Sequence, residues 1–200
     1  NSITIALTVV VVTGYVGNYG ANALAGYGLG SRLELILTPI IFGLGAALTA
    51  SVSINIGSKQ INRARKITWI GGTVSFVLIG CIGLIVSIFP NIWIKNFSID
   101  PIVCNYAINY LKIAGPFYCL FGLGQAIYFA SQGTGKMIKP ITVGIVRFLS
   151  VIILGYFVIY VKGPIDYIFY AVSLGLIITG LGMIICLLGP EWKENKSIKL

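Results

Sequence analysis

The sequence predicts an all-α fold: a polytopic membrane helix bundle of about six transmembrane helices. Three observations predict it. Of 200 residues, 57% are hydrophobic and only 10% charged, against about 25% charged in a soluble domain, so the surface cannot be covered for water. The mean hydropathy is +0.95. Six apolar stretches can be read, each near the roughly 20 residues that a helix needs to cross a bilayer. Closed β-barrels are the other spanning solution, but their strands alternate apolar and polar positions. Runs such as 36–56 and 74–89 do not alternate.

The first span covers about 2–17. The chain opens on Asn1 inside this run, with no initiator Met, no basic leader and no cleavage site. The expectation is a fragment or processed piece without a signal peptide. The turn Gly17-Asn18-Tyr19-Gly20 leads to a long second span, about 22–57. It is rich in small residues (Gly43, Gly45, Ala46, Ala47, Ala50, Ser51, Ser53), which let helix backbones approach closely. The third span runs about 67–90 and stops at Pro90-Asn91. The fourth, about 103–131, contains Pro116, which removes one backbone bond and bends the helix. The turn Gly133-Thr134-Gly135 closes it. The fifth and sixth, about 141–161 and 165–188, are separated by Gly163-Pro164. Residues 1–189 therefore read as one six-helix unit with a shortened first helix, and 190–200 as a tail.

Charge orients the spans, because Lys and Arg collect in cytoplasmic loops. Ten of the 14 basic residues fall on one side: Lys59, Arg63, Arg65, Lys66, Lys136, Lys139, Arg147, Lys193, Lys196 and Lys199. The other side holds Arg32, Lys95, Lys112 and Lys162. Alternate loops agree, which places both termini in the cytoplasm of a cell membrane. The net charge of +9 then needs no nucleic acid, since a basic face beside anionic lipid accounts for it. The absence of His excludes His bases, His-ligated metals and Ser-His-Asp triads. Cys81, Cys104, Cys119 and Cys186 form no CxxC pair and read as small buried hydrophobes rather than as a metal site. Trp69, Trp93 and Trp192 lie near span ends, as interfacial anchors do. Asn96-Phe97-Ser98 matches a glycosylation acceptor, a pattern too short to carry a function.

Two helix faces carry polar groups. In the fourth span Tyr118, Gly122, Gln125, Phe129 and Gln132 recur at spacings of four, three, four and three, which puts them on one side of a helix. Amides and phenols are costly against lipid, so the stripe should face a cavity or another helix. In the second span Tyr27, Ser31, Glu34 and Thr38 share a face. Glu34 is the one acid near a span interior, and an intramembrane carboxylate is a candidate for ion coupling. Counting about 20 residues back from the basic loop puts it near the outer interface, where a solvated anchor is the alternative. Arg32, two residues away, faces elsewhere.

The stretch from Ala23 through Tyr27, Ser31 and Arg32 to Glu34, followed by Thr38-Pro39-Ile40-Ile41-Phe42-Gly43, resembles the multidrug and toxic compound extrusion (MATE) family. Ser53-Ile54-Asn55-Ile56-Gly57-Ser58 with Asn62-Arg63-Ala64-Arg65 is similar to its Gly-Gln-Asn-x-Gly-Ala segment and Arg-Ala-Arg loop. Gln132-Gly133-Thr134-Gly135-Lys136 before Pro140 and Arg147 resembles a second landmark. Ser53 and Ile54 depart from the usual Gly-Gln. The resemblance implies the C-terminal lobe of a twelve-span antiporter, paired with a missing N-terminal six-helix lobe. It implies exchange of organic or cationic small molecules for Na⁺ or H⁺, with no cofactor. The implied substrate cavity takes Tyr118, Gln125, Phe129 and Gln132 with Thr38 and Thr49. The acids that many members carry in the seventh and tenth helices have no counterpart here, so coupling falls to the absent lobe or to Glu34.

Three other readings stand beside it. A lipid-linked oligosaccharide flippase would line its cavity with cations, whereas Arg32, Lys112 and Arg147 read as lying toward span ends. An integral membrane enzyme would need clustered acids or a nucleophile–base pair, and Glu34, Asp100 and Asp166 are isolated in sequence. A non-catalytic scaffold subunit would not need the polar stripe.

Overall fold

A computed structural model describes residues 2–192. The expected tail falls mostly outside the described residues, as do Lys193, Lys196 and Lys199. Eight helices follow in order: α1 (Ser2–Gly17), α2 (Ala21–Gly57), α3 (Ile61–Ile88), α4 (Asn91–Ile94), α5 (Pro101–Ala114), α6 (Tyr118–Thr134), α7 (Ile138–Tyr160) and α8 (Asp166–Leu188). Among the described residues there is no strand. Five stretches are long and apolar enough to cross a membrane: α2, α3, the α5–α6 pair, α7 and α8. With the shorter apolar α1 they give the six spans that the sequence predicts.

The helices end where the local chemistry stops them. Asp100 caps α5 by accepting from the Ile102 N–H at 2.8 Å, with Pro101 as its first residue, where a missing N–H costs nothing. Gly135, at φ 72°, closes α6 in the left-handed conformation, a backbone shape glycine adopts without strain. Inside the fourth span, Pro116 does more than bend the helix. A 3₁₀ turn at Gly115–Phe117 splits the span into α5 and α6, which lets the two halves present side chains independently.

α6 is the hub. It packs against α2, α3 and α8, and Phe121–Tyr128 is an unbroken buried run. The fourth span is therefore not a helix with one polar and one lipid face, because both its sides are covered by protein. Ser75 on α3 donates to the Gly122 carbonyl at 2.9 Å, and Thr49 on α2 donates to the Phe129 carbonyl at 2.8 Å. α7 is the opposite case. Only Pro140, Gly144, Arg147, Val151 and Gly155 are buried, a narrow stripe against α1 and α8. Outward, Ile141, Ile145, Leu149, Ile153 and Phe157 are exposed, as a lipid-facing side should be.

Two of the tryptophans near span ends also pack against protein. Trp192 is 3% exposed inside a 3₁₀ turn at Pro190–Trp192, and the Trp93 indole N–H donates to the Leu29 carbonyl at 3.0 Å. An indole buried in protein needs a partner for its N–H, and for Trp93 the α2 backbone supplies it.

Candidate functional site

Glu34, half-buried on α2, is the centre of a polar cluster. Tyr110 on α5 and Tyr118, the first residue of α6, both donate their hydroxyls to the same carboxylate oxygen, Tyr118 at 3.1 Å. Both tyrosines are fully buried. The break at Gly115–Phe117 makes this convergence possible, since one tyrosine lies on each side of it. Tyr27, two turns before Glu34 on α2, packs edge-on to Tyr110 with ring centroids 5.1 Å apart. Phe169 on α8 lies edge-on to Tyr110 at 5.2 Å and closes the far side. Gly30 gives the Tyr110 ring its room, because a Cβ there would collide with it.

The length of α2 bears on the depth of Glu34. α2 has 37 residues, about 55 Å at 1.5 Å per residue, well beyond a hydrocarbon core of about 30 Å. Its ends therefore do not mark the interfaces.

Arg147 is the second charged member. Sequence reasoning grouped it with the basic loop before α7, but it sits mid-helix, 9% exposed, and interacts electrostatically with Glu34, Tyr110 and Tyr27. Its stem passes Gly175 of α8, where a Cβ would lie 3.5 Å from Arg147 Cγ and 2.7 Å from Val151 Cγ2. Gln125, Tyr128, Gly144, Thr179 and Met183 complete a void around it with no room for a water molecule. Burying a charge without water is expensive. Arg32 is not part of this arrangement. Its guanidinium lies 5.8 Å from the Phe97 ring centroid.

Beside the cluster is an open cavity of about 130 Å³, lined by Ile5, Thr38, Ile41, Phe42, Phe121, Gln125, Tyr128, Phe129 and Gln132. Of the expected cavity residues it brings together Thr38, Gln125, Phe129 and Gln132. Phe42 and Phe129 stand edge to face at 5.1 Å. No lining residue is charged. Tyr118 is not in the wall because it turns to Glu34. Thr49 is not there either: its hydroxyl clamps α2 to α6. Gly122 faces α3, and a Cβ there would sit 2.9 Å from Ile79 Cβ. The stripe on the fourth span thus divides among three destinations.

Sequence reasoning missed Tyr110 and Arg147. Tyr110 lies beyond the helix break, where a fixed period no longer applies. For Arg147 a signal existed: it stands among apolar residues well inside the fifth span, and an ionisable group in such a place is functional by default.

Comparison with known proteins adds four findings. The MatE family model matches residues 1–157. The chain is 24% identical to "Probable multidrug resistance protein YoeA" of Bacillus subtilis (strain 168), over 72% of this chain and 31% of that protein. It is 27% identical to "Probable multidrug resistance protein NorM" of Thermotoga maritima, over 66% of this chain and 28% of that protein. The matched part thus spans under a third of those relatives' length. A solved structure described as the MATE transporter ClbM in complex with Rb⁺ superimposes with a TM-score of 0.86 at 17% identity. That match covers 96% of this chain and 46% of that one, so the fold is that of about half such a transporter.

Proposed function

The chain belongs to the MatE family, and from that premise we propose that it is the C-terminal lobe of a secondary efflux transporter. It exports organic or cationic small molecules in exchange for Na⁺ or H⁺. The observation that carries this reading is the uncharged open cavity of Thr38, Phe42, Gln125, Phe129 and Gln132, bounded by α1, α2 and α6. Aromatic faces attract flat and cationic molecules, and the two amides supply both donors and acceptors. The cavity faces a second six-helix lobe, and substrate binds between the two, with access alternating as the lobes rock. Glu34 is the coupling group on this side. The end that carries Lys59, Arg63, Arg65 and Lys66 faces the cytoplasm. A flippase for an anionic lipid-linked sugar is disfavoured because no cation lines the cavity.

The test is ethidium efflux from proteoliposomes under an imposed cation gradient. The whole transporter that contains this chain exports the dye, and the 200-residue chain alone does not. Efflux by the chain alone would overturn the lobe reading, and no efflux by the whole protein under either a Na⁺ or an H⁺ gradient would overturn the export reading.

A further inference from the structure

Two grooves run along the flank formed by α7 and α8, and neither shares a lining residue with the open cavity. One, of about 390 Å³, lies at the end where α7 stops, between Phe157 on α7 and Tyr170 on α8, and no charged residue lines it. The other, of about 520 Å³, lies at the basic end. It takes Lys139, Val143 and Val146 from α7, and Ile178, Ile185 and Gly189 from α8. Those spacings put each set on a single helix face, so the groove is one channel between two packed rods. From Ile178 to Gly189 it is about 16 Å long at helical rise. That is close to half of a hydrocarbon core of about 30 Å, the depth of one leaflet.

The walls are apolar. Val146 and Ile185 are exposed, and the one hydroxyl, on Thr142, donates to the Ile138 carbonyl at 2.7 Å. Gly182 brings the helices together at the floor, where a Cβ would lie 2.7 Å from Val143 Cγ1. Lys139 stands at the mouth and is half-buried. A Cβ at Gly189 would sit 3.4 Å from its Nζ, which places the ammonium beside the last turn of α8. The partial negative charge of a helix C-terminus favours a cation there. An ammonium has three hydrogens, enough for the helix end and an anion together. The turn at Pro190–Trp192 packs on α3, whose first two turns carry Arg63, Arg65 and Lys66. Positive charge is thus gathered at this end, and among the described residues no acid lines the groove.

A leaflet-deep apolar channel with an ammonium at its mouth matches a molecule with an acyl chain and an anionic head. Such lipids are concentrated in the cytoplasmic leaflet, where basic pockets between helices hold their head groups. We propose that the groove of Lys139, Val143, Val146, Ile178 and Ile185 binds an anionic phospholipid of that leaflet, its phosphate on Lys139 and one acyl chain along the channel. This rests on the orientation proposed above and not on what the transporter carries. The uncharged groove on the same flank takes an acyl chain without regard to the head group.

The experiment uses the whole transporter in phosphatidylcholine vesicles that contain a trace of lipid with a photoreactive diazirine in its acyl chain. The head group is phosphatidylglycerol in one arm and phosphatidylcholine in the other, and crosslinked peptides are mapped by mass spectrometry. Phosphatidylglycerol labels residues 138–146 and 178–189 in preference to phosphatidylcholine, while the two lipids label the uncharged groove equally. The preference falls about fivefold in K139Q and is unchanged in K162Q, which removes a charge at the opposite end. I185W fills the channel from an exposed position and lowers labelling by both lipids there. Equal labelling of the basic-end groove by the two lipids, or a K139Q protein with the wild-type preference, overturns the site. Inorganic phosphate at constant ionic strength leaves the labelling in place, and displacement of the lipid by it overturns the choice of a lipid as occupant. Accessibility of a cysteine in Lys66→Cys in intact cells reports the orientation separately. A Lys66 end found outside overturns the leaflet and the orientation, while the head-group preference still decides the site.

Discussion

The cluster at Glu34 and the open cavity next to it are built from opposite materials. The cluster sets the half-buried Glu34 beside Tyr27, Tyr110, Tyr118 and Phe169, with the buried Arg147 nearby on α7. The cavity is accessible and carries no charge, only amides, hydroxyls and rings. The difference teaches a division of labour that follows from dielectric. Charges act strongly where water is scarce, and the two phenols shield part of the Glu34 carboxylate. A wall that must accept varied molecules gains from neutral, polarisable surfaces with no fixed counter-ion to satisfy. Gln125 and Tyr128 belong to both regions, and through them the two communicate.

Three substitutions test the contrast. The largest effect is expected from Glu34→Ala, which leaves two phenols without their acceptor. A hydrogen bond to a charged group is worth about 1.5–3 kcal/mol, so the loss of both phenol bonds should lower the melting temperature of the detergent-solubilised protein. A variant that melts with the wild type would mean the cluster is open to water after all. Next, Phe129→Ala removes the edge-to-face partner of Phe42 from the cavity. An aromatic pair is worth about 0.5–1.5 kcal/mol, so ethidium affinity should fall roughly two- to tenfold in a fluorescence titration. Unchanged affinity would move the binding surface elsewhere. The smallest effect belongs to Thr49→Val, which loses the interhelical bond to the Phe129 carbonyl. Such bonds in membranes average about 0.6 kcal/mol. Stability should slip slightly while ethidium affinity stays constant. A loss of affinity as large as that of Phe129→Ala would return Thr49 to the cavity wall.

The helices were legible because lipid imposes long apolar runs, and Gly or Pro punctuates them. Span limits from sequence agree with the helices within a few residues, except at the start of α3. There Arg63, Arg65 and Lys66 lie inside the helix, since polar residues can extend a helix past the bilayer edge. Half of the site was legible too. The spacing of Gln125, Phe129 and Gln132 put them on one face, and the face of Tyr27, Glu34 and Thr38 does point inward. What stayed hidden is what periodicity cannot encode. A broken span resets the helical phase, so Tyr110 could not be matched to Tyr118. Depth along an overlong helix cannot be counted from its ends, so the sequence could not say which groups surround Glu34. A basic residue a few positions past a basic loop looks like part of it, which disguised Arg147.

Pro39 lies inside α2, between the carboxylate of Glu34 and the ring of Phe42. Without an N–H it leaves one carbonyl of the preceding turn untied. Mechanically, α2 is a long beam with a soft joint between Glu34 and the Phe42 ring. The arm from that joint to Gly57 is about 27 Å at helical rise, so a bend of about 10° there would sweep its tip by about 5 Å. The same bend would move Glu34, about 7.5 Å from the joint, by only about 1.3 Å, so the longer arm amplifies a small repacking more than threefold.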